Sequence, residues 1–195
     1  MYVLLAGALV LAVVTKTNAK GGDNGRLSVG AELGLPMGTF GDVYSIGIGG
    51  SLRYEMPMGD NLGLMATAGF MSFSGKDITV GTVTVKGASQ TMIPIQIGAK
   101  YYFTEQQSGF YGSAELGVHM ASYTIKGYDA VVFNGVTIVP AKADETKTDT
   151  NFSFAPGIGY ALDNVDIGLR YQIISATGGS SSYLGVRLAY VFGEK

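Results

Sequence analysis

From residue 26 to residue 192 the side chains alternate between two chemistries with a period of two. In the segment 44–56, Tyr44, Ile46, Ile48, Leu52, Tyr54 and Met56 share one parity. Ser45, Gly47, Gly49, Ser51, Arg53 and Glu55 share the other. Successive side chains of a strand point to opposite faces, whereas a helix repeats every 3.6 residues, so this pattern specifies strands. It recurs at 27–35, 62–73, 91–103, 110–123, 152–160, 165–173 and 183–192, predicting eight strands in all. The expected fold is all-β, an eight-stranded antiparallel up-and-down transmembrane β-barrel.

The connections sort by length. Those at 57–61, 104–109 and 162–164 are short; those at 36–43, 76–90, 124–151 and 174–182 are longer. Short turns on one rim and long loops on the other are the asymmetry of an outer-membrane barrel, in which the short turns are periplasmic. Strands of about 10–13 residues, rising ~3.3 Å per residue and tilted ~40°, cross an apolar band ~25 Å tall.

The chemistry of the two faces fixes which one meets lipid. Only 14% of residues are charged, 47% are apolar and 30 are glycine; a soluble domain carries roughly 25% charge. One face holds Leu, Ile, Val, Tyr and Phe. The other holds Glu32, Arg53, Glu55, Lys100, Glu115, Asp166, Arg170 and Arg187, too few charges for a solvated outer surface. Gly30, Gly34, Gly47, Gly49, Gly69, Gly98, Gly117, Gly157, Gly159, Gly168 and Gly185 fall on that same face. Glycine weakens strands and needs a reason to be there; a narrow interior that admits an arginine only beside small neighbours supplies one. The charged face therefore lines the lumen and the apolar face meets the bilayer. Aromatics are expected in two girdles: Tyr54, Tyr101, Phe103, Phe110, Tyr160, Tyr190 and Phe192 at one rim, and Tyr44, Phe70, Phe73, Tyr123, Phe152, Phe154, Tyr171 and Tyr183 at the other.

Residues 1–19 read as a secretory signal: an apolar run from Val3 to Val14, then Thr15-Lys16-Thr17-Asn18 and small Ala19, with no basic residue ahead of the run. The run is shorter than the ~20 residues of a spanning helix. Residues 20–195 are then the barrel. The absence of cysteine rules out thiolate metal sites and disulfides. A net charge of −2 without a basic cluster argues against nucleic acid. His119 is the only histidine and has the lumen parity. Glu115 lies about 13 Å away along the strand, too far to orient it, so Ser113 and Ser122 gain no activated base. The acids Asp144, Glu145 and Asp149, and Asp163 with Asp166, lack the spacing of a calcium loop, and Gly47-Ile48-Gly49-Gly50 opens no helix. No catalytic residue, cofactor or metal is expected.

Two stretches carry a resemblance: Gly34-Leu35-Pro36-Met37-Gly38-Thr39-Phe40 followed by Tyr44-Ser45-Ile46-Gly47-Ile48-Gly49, and the closing Tyr183-Leu184-Gly185-Val186-Arg187-Leu188-Ala189-Tyr190-Val191-Phe192. The chain from about 26 to 192 resembles the outer-membrane β-barrel family common in Bacteroidetes, and in architecture a small OmpA/OmpX-like barrel without a periplasmic domain. The resemblance implies export, insertion by the barrel-assembly machinery, and a bacterial outer-membrane location.

Within the lumen, Glu32 and Arg187 lie at similar depth on the first and last strands. Lys100 and Glu115 lie diagonally across a hairpin, and Arg170 faces Gly157. Such a network closes a pore. Outside the barrel, Ile78, Val80, Val83 and Val85 flank Gly81-Thr82, and Val131, Phe133, Val136 and Ile138 flank Asn134-Gly135. Both read as projecting hairpins with edges able to recruit a partner. The leading reading is a non-enzymatic barrel with a structural or adhesion-like surface role. A membrane-embedded lipid hydrolase and a small-solute porin are the alternatives. Expected partners are outer-membrane lipids, lipopolysaccharide, the assembly machinery and an extracellular protein or surface ligand; a monomer is expected.

Overall fold

The computed structural model describes residues 25–80, 83–85, 87–104, 107–125, 131–133, 136–139, 143, 145–176 and 178–192. The leader segment 1–19 lies outside them. Among the described residues, twelve strands and one short helix follow in order: β1 Arg26–Met37, α1 Gly38–Val43, β2 Tyr44–Pro57, β3 Leu62–Gly75, β4 Ile78–Val80, β5 Val83–Val85, β6 Gln90–Tyr102, β7 Gly109–Ile125, β8 Val131–Phe133, β9 Val136–Val139, β10 Glu145–Ala161, β11 Val165–Ala176 and β12 Gly179–Phe192.

Eight of these strands close a barrel in the order β1-β12-β11-β10-β7-β6-β3-β2. Every neighbour is antiparallel, and the seam pairs Leu27 with Phe192 and Glu32 with Arg187. Closure leaves no sheet edge inside the membrane, where an unpaired backbone group costs several kcal/mol. The remaining strands form two separate ribbons, β4-β5 and β8-β9, on the long-loop side.

Parity sorts the side chains. Ile48 is 63% exposed while Arg53, on the opposite face of the same strand, is 4% exposed. Val29, Leu33, Ile97, Ile158 and Leu188 are likewise exposed, and Glu32, Lys100, Glu115 and Arg187 are buried. An apolar exterior around a charged interior inverts the arrangement of a soluble protein.

Several details differ from the sequence reading. The segment 36–43 holds helix α1, and β10 begins at Glu145, well before residue 152. β7 and β10 pair from Gly109↔Ala161 to Ile125↔Glu145, so both ends of the expected loop are ladder. The segment 174–182 is mostly ladder, with Ile174 paired to Ser181 and Ala176 to Gly179, and Gly178 at φ 90°. Finally, Phe73 and Tyr183 belong to the interior and not to the outer girdle, since both are fully buried. A register shift between Tyr44 and Gly47 turns Tyr44 onto the interior side, where it packs on Phe40. One extra residue in a strand reverses the alternation beyond it.

Candidate functional site

The interior has two storeys. Near the short-turn rim it is ionic. Arg26 Nη2 donates to Gln107 Oε1 at 2.8 Å and to Glu55 Oε1 at 3.3 Å. Gln107 in turn donates to the carbonyls of Gly59 and Leu62. The Tyr102 hydroxyl donates to Glu55 Oε1 at 2.5 Å. Lys100 bridges Glu55 Oε2, at 2.9 Å, and Asp166. The Tyr111 hydroxyl donates to Asp166 Oδ1 at 2.9 Å.

Deeper in, Arg53 Nη2 meets Glu115 Oε1 at 2.6 Å, and Thr67 is shared between Arg53 Nε and Glu115 Oε2. Glu32 Oε1 accepts from Ser51 Oγ at 2.6 Å and Arg170 Nη1 at 3.2 Å, with Arg187 Nε at 3.5 Å. Arg187 also donates to Ser51 Oγ at 2.9 Å and Ser28 Oγ at 3.0 Å. These contacts join strands that are far apart in sequence, so the interior braces the wall from within.

All eight charged residues picked out by parity are buried, but one pairing differs from the sequence reading. Glu115 pairs with Arg53 and not with Lys100, which reaches Glu55 and Asp166 instead. Arg170 pairs with Gly157 in the ladder, yet its guanidinium extends to Glu32. A long side chain crosses a narrow lumen more readily than it turns towards the adjacent strand. Arg26, Gln107, Tyr102 and Tyr111 complete the network and were missed. Arg26 shares parity with Glu32, Tyr102 with Lys100 and Tyr111 with Glu115, so the signal was present.

Towards the long-loop rim the interior turns apolar. Phe40, Met71, Phe73, Met92, Ala121, Ile174 and Tyr183 form one buried cluster. Helix α1 delivers Phe40 into the mouth, edge-on to Phe73 with ring centroids 5.1 Å apart, and Phe73 lies 5.3 Å from Tyr183. Gly47 exists to admit this plug: a Cβ there would lie 2.4 Å from the Phe73 ring. Lys76 Nζ donates to the Gly41 carbonyl and ties α1 to the end of β3.

His119 lies beneath the plug, with no exposed surface, its Nε2 3.4 Å from Tyr183 Oη. Ser122 bonds instead with Thr148 on the exposed outer ladder, 2.8 Å away. The pair is therefore not assembled as a nucleophile and its base, which would stand within hydrogen-bond reach of each other.

The hairpin residues lie in short ribbons outside the barrel. Ile78 pairs with Val85 and Val80 with Val83 in β4-β5. Val131 pairs with Val139 and Phe133 with Val136 in β8-β9, with a register shift between Val131 and Val132; Ile138 lies in β9. The outer part of β10 from Glu145 to Thr150 stands exposed. Its pairing with β11 begins only at Phe152.

Comparison with known proteins gives one family and several solved structures of similar fold. The family model for the outer membrane protein beta-barrel domain matches residues 6–192. Among solved structures, the chain is similar to Ail, the attachment invasion locus protein of Yersinia pestis, solved in complex with the heparin analogue sucrose octasulfate. The identity is 11% and the TM-score 0.57, over 88% of this chain and 100% of that one. It is also similar to the N-terminal β-barrel domain of Pseudomonas aeruginosa OprF, at 12% identity and TM-score 0.52, over 88% and 100%. At these identities the likeness is one of fold. No curated protein matches the chain in sequence.

Proposed function

We propose a function from one premise: the chain belongs to the outer membrane protein beta-barrel domain family. It is a bacterial outer-membrane barrel whose apolar exterior meets lipid. On our reading it is non-enzymatic, and its specific activity is to engage an extracellular protein through the ribbons β4-β5 and β8-β9 above the membrane. The leader 1–19 directs export, and insertion uses the barrel-assembly machinery.

The observation that carries the reading is the contrast between interior and rim. The interior is filled by charged side chains and an aromatic plug, which gives a substrate little room. The strand-forming surface that remains is outside, on loops, where binding residues concentrate. Ribbons offer backbone donors and acceptors to an incoming strand.

The charge of the outer segments bears on the partner. Lys76, Lys86, Lys126, Lys142 and Lys147 are interspersed with Asp42, Asp77, Asp129, Asp144, Glu145 and Asp149. A polyanion needs a concentrated basic patch, so the heparin-analogue ligand of Ail is not extended to this chain. A protein surface fits mixed charge better.

The test is deletion of 77–85 or of 131–139 in cells displaying the protein. Barrel folding is expected to persist and binding to host or neighbouring bacterial cells to disappear, with His119→Ala unchanged. Loss of activity in His119→Ala while the deletions stay active would reject this reading and favour the hydrolase.

A further inference from the structure

The sequence reading placed four acids and four bases in the interior, and the structure adds Arg26. Among the described residues, Arg26, Arg53, Lys100, Arg170 and Arg187 are buried against Glu32, Glu55, Glu115 and Asp166. The interior therefore carries one more cation than anions. Lys100 makes the shortfall local, because it draws on both Glu55 and Asp166.

The surplus has a place. A small cavity, about 10 Å³ in free volume, is lined by Arg53, Arg170, Arg187, Tyr111, Ser113 and Glu115 among others. That is room for one particle of about water's size. Two guanidinium nitrogens of the residues around it, Arg170 Nε and Arg187 Nη1, are buried and make no hydrogen bond. Arg187 Nη1 comes only to 3.7 Å from Asp166 Oδ1. Glu115 also lines the cavity, but Arg53 and Thr67 engage its two oxygens.

We infer that this cavity is a binding site for one small monovalent anion of the halide class, chloride being the abundant member. A buried charge without a counter-charge is costly, and so is an unpaired buried donor. One halide beneath Arg170 and Arg187 offsets both. Water satisfies the donors but leaves the charge. The three arginines are each more than nine-tenths buried and are held from different strands, so the donors are preorganised for an ion that makes only non-directional contacts. The consequence is a barrel whose stability depends on the identity of the anion present and not only on ionic strength.

The test uses the full mature chain. Crystals grown in sodium chloride, measured at a long wavelength where chlorine scatters anomalously and oxygen does not, are expected to show a peak within hydrogen-bonding distance of Arg170 Nε and Arg187 Nη1. In detergent micelles, the urea midpoint is expected to be higher in sodium chloride than in sodium gluconate at equal ionic strength, gluconate being too large for the cavity. Arg170→Gln is expected to remove the peak and the difference between salts. If that variant does not fold, the two measurements on the unaltered protein decide. Absence of the peak, or equal midpoints in the two salts, overturns the assignment.

Discussion

Replacing Glu32 with alanine tests whether the interior network holds the barrel shut. One carboxylate oxygen of Glu32 receives Ser51 from β2 and Arg170 from β11, with Arg187 of β12 beside it. Glu32 itself is on β1, so its loss removes a contact common to four strands at the seam. Breaking a buried pair by deleting one partner costs about 3–5 kcal/mol. Arg187 keeps Ser28 and Ser51 after the change, and Arg170 keeps its hydrogen bond with Tyr183. The lower end, about 3 kcal/mol, is therefore expected. With a urea dependence of about 1–3 kcal/mol per molar, the midpoint falls by about 1–3 M. Circular dichroism in detergent micelles measures it. The comparison is Glu145→Ala, whose pair with Lys147 is half-exposed and spans 3.7 Å; a pair of that kind contributes about 0–1 kcal/mol. Equal midpoints for Glu32→Ala and Glu145→Ala would refute the argument that the lumen charges brace the wall.

Further expectations follow from the same geometry. Ile48→Arg puts a charge on the lipid face and is expected to destabilise by ~2–4 kcal/mol if the residue lies near the midplane, read from urea titration in lipid vesicles. Gly47→Ala forces a methyl group against the Phe73 ring and is expected to lower the midpoint, with partial rescue by Phe73→Leu; an unaltered midpoint would show that Phe73 does not fill the mouth. Planar-bilayer recordings of the purified barrel are expected to show negligible conductance, and large stable steps would promote a porin. Intact-mass measurement on protein extracted from outer membranes is expected to place the mature start at or near Lys20; retention of Met1 would remove the leader.

The barrel wall was legible because lipid outside and a narrow lumen inside make opposite demands on alternate residues. Parity alone assigns Arg53, Glu115 and Arg187 to the interior. It also assigns Phe73 and Tyr183 there, through Thr67 and Arg187, and the girdle expectation pulled both the wrong way because aromatics near a rim suit either face. Tyr44 was unreadable by parity, since the register shift next to it leaves no mark in the pattern. Helix α1 was hidden by its six-residue length and by its glycines, which read as a loop. Partner choice inside the lumen was not legible either: strand neighbours follow from order, but the reach of Arg170 or Lys100 across the interior depends on tilt and register around the whole ring. The ribbons were readable from valine-rich arms around Gly81-Thr82 and Asn134-Gly135.

The pairing of β1 with β12 bears on how the molecule comes into being. Seam contacts such as Arg187 with Ser28 join residues 159 positions apart, so the ring is complete only when nearly all of the chain is available. Until then any growing sheet has two open edges, and such edges recruit strands from other chains. Contacts this distant in sequence form slowly, because the intervening chain must be closed first. The molecule consequently passes through its most aggregation-prone stage while almost finished. Its first strand must be kept from foreign partners for as long as its last takes to arrive.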